Sequence, residues 1–206
     1  MMKVIAFNGS PHKDGVINTG LELMCGELGN KGIETEIIQV GSEIIRGCID
    51  CRKCKDLHKC VYDNDLVNRA AEKIDAAVGI IIGSPVYYGS IAGTFKCFLD
   101  RLFFPGLSLE YKAASALVSC RRSGGINAFQ QMNNYFNLAG AVIVPSIYWG
   151  VIHGNNRDEV LTDEEGLQIA KTSAQNMAWL LKTLELGKKE IALPEKTRRA
   201  RTNFIH

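Results

Sequence analysis

Five short apolar runs recur along the chain, and stretches with helical periodicity separate them. Most of the runs are continuous rather than alternating, which is typical of strands that are covered on both faces of a parallel sheet. The second run alternates and is less apolar, so we expect it nearer an edge of the sheet. The runs lie at 4–7, 35–40, 78–82, 116–118 and 141–144.

The intervals between these runs carry the periodicity of amphipathic helices. Leu21, Met24, Cys25 and Leu28 share one apolar stripe, because they follow one another at helical spacing. Strand and helix alternate five times, which predicts a doubly wound α/β fold with helices on both faces of the sheet. The predicted helices are the one with this stripe, a second that Asp65 caps, a third over 91–104, a fourth over about 126–138 and a last that Asp163 caps.

Length and composition predict one ordinary globular domain, since 46% of the 206 residues are hydrophobic. The opening residues lack the apolar region of a signal peptide, and no stretch reaches the roughly 18 apolar residues of a membrane span. We therefore expect a cytoplasmic protein without a membrane partner. In that reducing compartment, clustered cysteines more often bind metal or carry out redox chemistry than form structural disulfides.

The charge pattern changes near Gly187, which predicts a domain over 1–187 and a basic tail over 188–206. The tail holds six lysine and arginine residues against two glutamates, although the whole chain carries only +2. A basic tail can bind nucleic acid, but here no aromatic residues interleave with the charges and no basic helix accompanies them. A solvated tail, or an arm that lies on a neighbouring subunit, explains the pattern better.

The segment after the first run, 8–19, combines glycine with hydroxyl, amide and basic side chains and opens a helix. Backbone N–H groups at a helix N-terminus bind anions, so phosphate is the natural ligand of such a loop. The segment matches neither the dinucleotide-binding glycine fingerprint nor the P-loop. The structural alternative is a plain turn in which Asn18 or Thr19 caps the helix.

Two further loops follow the third and fourth runs, and in an open α/β sheet ligands lie beyond the carboxyl ends of the strands. The first, GSPVYYGS, spans 83–90 and offers two adjacent tyrosines, whose flat faces suit a planar ring. The second, SCRRSGG, spans 119–125, where bare backbone amides suit the edge of a heterocycle and an arginine suits a phosphate or a negatively charged ring. Ordinary packing or an interface is the alternative role for the tyrosines.

These motifs together resemble the flavodoxin-like NAD(P)H-dependent FMN reductase family. The resemblance rests on the Gly-Ser-Pro turn at 9–11, the Pro-Val-Tyr-x-Gly loop at 85–89 and the pattern K-x-F-x-D-R at 96–101, and it covers about residues 3–185. It implies a five-stranded parallel sheet in the order 2-1-3-4-5 that binds FMN. With the cysteines described below, the chain most resembles the iron–sulfur flavoprotein branch of that family.

The resemblance also implies a set of cofactor-binding residues. The first loop would hold the FMN phosphate through Ser10, His12, Asn18 and Thr19; His12 stands where the family commonly has arginine. The second loop would run beside the ribityl chain and ring through Pro85, Val86, Tyr87, Tyr88 and Gly89. The third would line the isoalloxazine edge through Ser119, Arg121, Gly124 and Gly125. Lys96, Asp100 and Arg101 are interpreted as structural or subunit-contact residues.

Four of the seven cysteines fall within 13 residues, in the pattern C-x2-C-x2-C-x5-C inside a loop over 47–64. Ferredoxin-type loops present three thiolates to one [4Fe–4S] cluster with the same C-x2-C-x2-C spacing, and a fourth cysteine here would have to complete the same site. Zinc, a disulfide and a loop of free thiols are the alternatives, and zinc usually takes two separated ligand pairs. The four are Cys48, Cys51, Cys54 and Cys60.

The resulting hypothesis is an FMN oxidoreductase in which the cofactor carries the chemistry and no protein nucleophile is needed. In one version NAD(P)H reduces FMN, which then reduces a quinone, a free flavin or another small acceptor. In the other version FMN and a [4Fe–4S] cluster pass single electrons to or from a carrier such as ferredoxin, without NAD(P)H activity. The resemblance further implies a homodimer or homotetramer.

Overall fold

The computed structural model describes residues 1–196 together with residues 200, 202 and 204. One sheet organises the chain, with neighbouring strands in the order β2-β1-β3-β5-β6, while β4 pairs with β3 and β7 pairs with β5. All of these pairs are parallel except that of β3 with β4. The strands are β1 Lys3–Asn8, β2 Glu34–Gln39, β3 Gly79–Tyr87, β4 Ser90–Ile91, β5 Ala113–Ser119, β6 Val142–Ile143 and β7 Val151–Ile152.

The predicted doubly wound α/β fold and the order 2-1-3-4-5 are confirmed when β6 and β7 are counted as one interrupted fifth strand. The prediction of a continuous run at 141–144 covered only the first half of that strand. It also missed the antiparallel pair of β3 and β4, because the sequence there was interpreted as a loop. The edge position of β2 is confirmed, since five of its six residues are only partly buried and the first is exposed.

Helices cover both faces of the sheet, as predicted. Alternate residues of β1 point to opposite faces: Val4 and Ala6 join α1 and α7, whereas Ile5 and Phe7 join α3, α4 and α5, and all four side chains are fully buried. The helices are α1 Val16–Gly29, α2 Cys54–Leu57, α3 Val67–Asp75, α4 Gly93–Phe103, α5 Gly125–Ala139, α6 Arg157–Val160 and α7 Glu164–Glu190.

The ends of the helices follow local sequence signals. Asp163 caps α7, because its Oδ1 accepts a hydrogen bond from the N–H of Gly166 at 3.0 Å. The Oδ1 of Asp65 accepts from the N–H of Val67 at 3.1 Å, just where α3 begins. The alternative in which Asn18 or Thr19 caps the first helix is wrong, since α1 already begins at Val16 and its capping position is Gly15.

The C-terminal boundary remains a prediction. Helix α7 continues past Gly187 to Glu190, and Lys188 and Lys189 therefore belong to its last turn. Three basic residues of the predicted tail, Arg198, Arg199 and Arg201, lie outside the described residues. Within the part of the chain that the structure describes, no helix combines the length and apolar character of a membrane span.

Candidate functional site

A cleft of about 670 Å³ opens at the carboxyl edge of the sheet. This is where open α/β sheets place their ligands, and the volume falls in the range typical of small-molecule sites. The loop after β1, the end of β3, the end of β5 with the residues that follow it and the segment after β7 form its walls. Seven of the predicted cofactor residues line it, namely Ser10, His12, Pro85, Val86, Tyr87, Ser119 and Arg121.

A network of amide and hydroxyl groups fixes the loop after β1. The Nδ2 of Asn8 donates to the Oε1 of Gln39 at 2.8 Å, and the Nε2 of Gln39 donates to the carbonyl oxygen of Ser10 at 2.7 Å. The Oγ of Ser10 in turn accepts from the N–H of His12 at 3.1 Å. Gly41 allows this closeness, because a Cβ at that position would lie 2.2 Å from the carbonyl carbon of Ser10.

The N-terminus of α1 faces the cleft without a side-chain cap. Gly15 at the capping position has no side chain to offer, and no side chain in the described part of the chain caps the helix, so its first N–H groups are available to a ligand. Gly15, Val16 and Ile17 all line the cleft. The aligned peptide dipoles add partial positive charge at this end of the helix, which makes it an anion site.

Asn18 and Thr19 do not line the cleft, although the resemblance assigns them to the phosphate. Both are buried within the first turns of α1. The Nδ2 of Asn18 donates to the Oε1 of Glu22 at 2.8 Å, and the Oγ1 of Thr19 donates to the carbonyl oxygen of Gly15 at 3.1 Å. Their side chains thus bind within the helix, and their contact with phosphate remains a prediction.

The loop after β3 is a tight hairpin. Val86 pairs with Ile91 and Tyr87 with Ser90, so that Tyr88 and Gly89 form a two-residue turn. Both turn residues have positive φ, 51° and 73°, as a type I′ turn requires. The ring of Tyr88 is fully exposed and stands outside the cleft lining, whereas Tyr87 is half-exposed and lines it.

The glycines of the third loop hold the hairpin rather than line the cleft. Gly124 has φ 86°, and a Cβ there would lie 3.1 Å from the Cα of Gly89. Gly125 begins α5 and lies against β7, with a virtual Cβ 3.2 Å from a methyl group of Val151. Glycine at these positions lets the loops after β3 and β5 approach each other. Gly89, Gly124 and Gly125 therefore support the wall of the cleft without lining it.

The segment after β7 contributes cleft residues that the sequence analysis missed, namely Gly154, Asn155, Asn156 and Arg157. The signal was present, since glycine and two asparagines before a charged helical turn are typical of a loop with a capped helix. The Nη1 of Arg157 donates to the Oε2 of Glu22 at 2.8 Å. With Lys13 and Arg121 also in the lining, cations outnumber the carboxylate of Asp14 among the described residues, so the cleft favours an anion.

Cys120 also lines the cleft, next to His153, but the pair is not an activated nucleophile. The Sγ of Cys120 lies 3.8 Å from the Nδ1 of His153, and that nitrogen donates its hydrogen to the carbonyl oxygen of Cys120 at 2.9 Å. The imidazole nitrogen therefore cannot accept the thiol proton. Burial raises the pKa of the Cys120 thiol, so it stays protonated at neutral pH.

A second, smaller cavity brings together the four clustered cysteines. Cys48, Cys51, Cys54 and Cys60 all line it, and mainly apolar side chains together with Arg52 and Arg101 complete the wall. Asp50 and Arg52 flank Cys51 with positive φ of 49° and 59°. Left-handed residues of this kind help to turn backbone N–H groups inward, the geometry of concave sites that bind anions and iron–sulfur clusters.

Burial raises the pKa of the Cys54 thiol, and the nearby thiols of Cys51, Cys48 and Cys60 raise it further. Their mutual repulsion as thiolates means that a bound cation is needed to hold them all ionised. All seven cysteines are free thiols, so the disulfide alternative is not realised.

The choice between zinc and an iron–sulfur cluster remains a prediction. Among residues 1–196, 200, 202 and 204, no three Cys, His, Asp or Glu side chains stand close enough to share one metal ion. Zinc requires four ligands at about 2.0–2.3 Å, whereas a [4Fe–4S] cluster distributes its cysteine ligands over several iron atoms.

Arg101 reaches the cysteine cavity from α4 and is almost fully buried, at 1% exposure. Its Nε donates to the Sγ of Cys60 at 3.2 Å, and its Nη2 donates to the carbonyl oxygen of Tyr62 at 3.0 Å and to Asp65 at 3.2 Å. The sequence analysis gave Arg101 only a structural or subunit-contact role. A signal for its burial was present in the sequence. Arg101 follows Phe98 by three residues, so it lies on the same face of α4 as the apolar stripe of Phe95, Phe98 and Leu102.

The fold and the two cavities define a flavodoxin-like protein with a cofactor cleft and a cysteine-rich loop. A family model described as NADPH-dependent FMN reductase matches residues 2–156. An iron–sulfur flavoprotein of Methanocaldococcus jannaschii is 31% identical over 89% of this chain and 100% of its own length. An iron–sulfur flavoprotein of Archaeoglobus fulgidus is 32% identical over 93% of this chain and 90% of its own length.

The chain therefore belongs to the NADPH-dependent FMN reductase family, in its iron–sulfur flavoprotein branch, which confirms the predicted family and an oxidoreductase role. A solved structure of RosB with bound 8-demethyl-8-formylriboflavin-5'-phosphate has a TM-score of 0.72 and 16% identity. The match covers 99% of this chain and 92% of that one. At that identity the similarity confirms the fold class alone.

Proposed function

We propose that the cleft binds FMN, with the phosphate at the N-terminus of α1 and the ring between the end of β3 and the loop after β5. The uncapped helix, Lys13 and the hydroxyl of Ser10 support the phosphate position. Arg121 at the opposite wall suits the polar edge of the ring, and Pro85 and Val86 provide an apolar side. FMN, when bound, supplies both hydride and single-electron chemistry, and the protein orients it.

The proposed second centre is a [4Fe–4S] cluster held by Cys48, Cys51, Cys54 and Cys60. The observation that carries it is the convergence of all four thiols on one cavity whose wall includes a buried arginine. The guanidinium offsets negative charge on the sulfur ligands and donates a hydrogen bond to one of them. The names of the two archaeal relatives are consistent with this assignment.

With both centres in place, the chain is an FMN-dependent oxidoreductase that passes electrons between FMN and the cluster. The flavin can accept electrons in pairs and release them singly, so the protein would connect a two-electron donor with a one-electron carrier such as ferredoxin. A cytoplasmic location fits such a carrier and remains a prediction.

A second candidate function is a metal-free NAD(P)H-dependent reductase of quinones, free flavins or other small acceptors. The match to a family described as NADPH-dependent supports it. In that case the cysteines would take no part in turnover.

Anaerobic reduction distinguishes the two candidates. FMN-loaded protein is mixed with NADPH, NADH or reduced ferredoxin, and the loss of the visible flavin absorbance is followed in wild type, Cys51→Ala and Cys25→Ala. The two-centre account predicts fast reduction by ferredoxin that Cys51→Ala slows at least about tenfold and Cys25→Ala, on the far side of the fold, leaves unchanged. Fast reduction by NADPH that ignores both substitutions, with none by ferredoxin, would support the metal-free reductase instead.

We also propose a homo-oligomer, either a dimer or a tetramer. Several large apolar side chains near the two cavities are half or fully exposed in the single chain, which is unusual unless a partner covers them. Static light scattering of the FMN-loaded protein tests this, and a mass equal to one chain at micromolar concentration would contradict it. These side chains are Ile49, Leu57, Tyr87, Tyr88 and Phe104.

A further inference from the structure

The interruption of the fifth strand leaves a cavity at the lateral edge of the sheet. β6 pairs with Ala113–Ala114 and β7 pairs with Val118–Ser119, so the seven residues 144–150 cross only three residues of β5 and bulge away from it. Beneath the bulge, between α5 and α7, lies a cavity of about 430 Å³. That volume is sufficient for a small ligand.

Hydrogen bonds hold the bulge to α7 along its length and to β5 at its two ends, so the cavity is part of the folded structure. The Oγ of Ser146 donates to the carbonyl oxygen of Ile169 at 2.7 Å, and the Nδ2 of Asn176 donates to that of Pro145 at 2.9 Å. At the two ends, the N–H of Val144 donates to Ala114 and the N–H of Val118 donates to Gly150, each at 2.8 Å. The segment cannot close onto β5 without breaking these bonds.

The cavity contains polar groups that lack partners. Asn133 lines it from α5 at 7% exposure, and its Oδ1 has no hydrogen-bond partner among the described residues. Ala116 also lines the cavity, and strand alternation points its N–H and C=O toward the interrupted fifth strand. Within the described ranges, neither group has a backbone partner on that side. Buried polar groups are destabilising when they stay unsatisfied, so a ligand that bonds to them would be favoured.

Two buried hydroxyls complete the polar part of the wall. The Oγ atoms of Ser115 and Ser173 lie 2.8 Å apart, so one hydroxyl donates to the other and the second hydrogen remains available. The polar groups of the cavity therefore include both donors and acceptors. A ligand that satisfies them must itself carry both kinds of group.

The remaining wall is apolar and aromatic, and none of the described residues that line the cavity carries a charge. Phe129 forms part of the wall, and Tyr148 and Trp149 stand at the bulge with ring centroids 4.6 Å apart. Both of these rings are about half exposed, as expected at a mouth. A carboxylate or phosphate would have no counter-charge from this wall, so the ligand must be neutral.

We propose that this cavity is a second ligand site, for an uncharged aromatic amide or lactam. The ring would lie among the apolar and aromatic side chains. Its carbonyl oxygen would accept from the Nδ2 of Asn133 or the N–H of Ala116, and its N–H would donate to the hydroxyl pair of Ser115 and Ser173. Among the described residues, the cavity shares no lining residue with the flavin cleft or the cysteine cavity, so the site is separate from both.

Isothermal titration of full-length, FMN-loaded protein with benzamide tests the proposal. Benzamide should bind with a 1:1 stoichiometry, and benzoate, of the same shape but charged, should not. Asn133→Leu should weaken benzamide binding about tenfold, the loss expected for hydrogen bonds to one amide. Asn134→Leu, the same change one residue along on the exposed face of α5, should leave it unchanged. The visible flavin spectrum should not shift, whereas stacking on the flavin would shift it.

Thermal denaturation separates a ligand role from a structural one. Because the Oδ1 of Asn133 lacks a partner among the described residues, Asn133→Leu should keep or raise the melting temperature of the free protein. A fall of several degrees would mean that the amide supports the fold. Such a fall would overturn the proposal. So would equal affinity of both leucine variants for benzamide, a shifted flavin spectrum, or no binding up to the solubility of benzamide.

Discussion

Arg101 shows how a single buried cation organises the candidate metal site. Its partners, Arg46, Cys60, Tyr62 and Asp65, all belong to the cysteine-rich segment or directly flank it, so one side chain of α4 holds that segment on the domain. Desolvation of the guanidinium is costly, and only the paired carboxylate and the sulfur and carbonyl acceptors offset it. The same contacts would fix one cluster ligand in position.

Replacing Arg101 by methionine should therefore lower the free energy of unfolding by about 3–5 kcal/mol, because Asp65 would remain buried without its partner. Urea denaturation under anaerobic conditions measures this loss. Lys96→Met is the matched control on the same helix, since its ion pair with Asp100 is half-exposed, and it should cost less than about 1 kcal/mol. Similar costs for the two variants would contradict the role given to Arg101.

At this scale the sequence alone predicted many of the residues that line the cleft, but not how their side chains are oriented. Ser10, Pro85 and Arg121 were assigned from loop position and resemblance, and the structure brings them to one cleft. The sequence could not show that Asn18 and Thr19 lie outside the cleft lining. Which side chains face the cleft depends on the residue at which α1 begins. A Gly15 cap carries no side-chain signal, so that start was hard to locate.

At the scale of the element, the N-terminus of α1 is the feature on which the proposed phosphate site depends. The backbone supplies the free N–H groups, and the locked loop before it supplies the hydroxyl of Ser10. The side chains that surround them add net positive charge. The resulting site should distinguish FMN from riboflavin, which lacks the phosphate.

Ser10→Ala should weaken FMN binding about tenfold and leave riboflavin binding unchanged, because a hydrogen bond to a charged group contributes about 1.5–3 kcal/mol. Flavin fluorescence titration of the apoprotein measures both affinities. Ser108→Ala is the control, since Ser108 is exposed and its Oγ also accepts a backbone N–H two residues on, from Glu110 at 3.3 Å. An equal loss of affinity for FMN and riboflavin would mean that the Ser10 hydroxyl only stabilises the loop and does not bind the phosphate.

Element type was predictable where periodicity was strong, and element continuity was not. The apolar stripe of α1 correctly indicated which face of that helix is buried. The bulge over 144–150 interrupts the fifth strand through side-chain anchors to α7, and such long-range contacts leave no local pattern. The hairpin of β3 and β4 was missed because Tyr88 adopts a positive φ, which its residue type does not indicate.

At the scale of the whole molecule, the fold presents a flavin cleft at the sheet edge and a cysteine cavity supported by α4. The sequence predicted both because glycine-rich loops after strands and tightly spaced cysteines leave clear patterns. It could not choose among cluster, zinc, disulfide and free thiols, because that choice depends on how the four thiols are arranged in space. The convergence of the four thiols on one cavity and the hydrogen bond from Arg101 to Cys60 are the observations that support the cluster proposal.

The central claim is that this flavoprotein carries a [4Fe–4S] cluster beside its FMN. The most direct test is the iron, acid-labile sulfide, zinc and flavin content of protein purified without oxygen. We predict about four irons, about four sulfides and about one FMN per chain, with the iron lost in Cys51→Ala and retained in Cys25→Ala. One FMN per chain without iron in the wild type would contradict the claim and leave a metal-free FMN reductase.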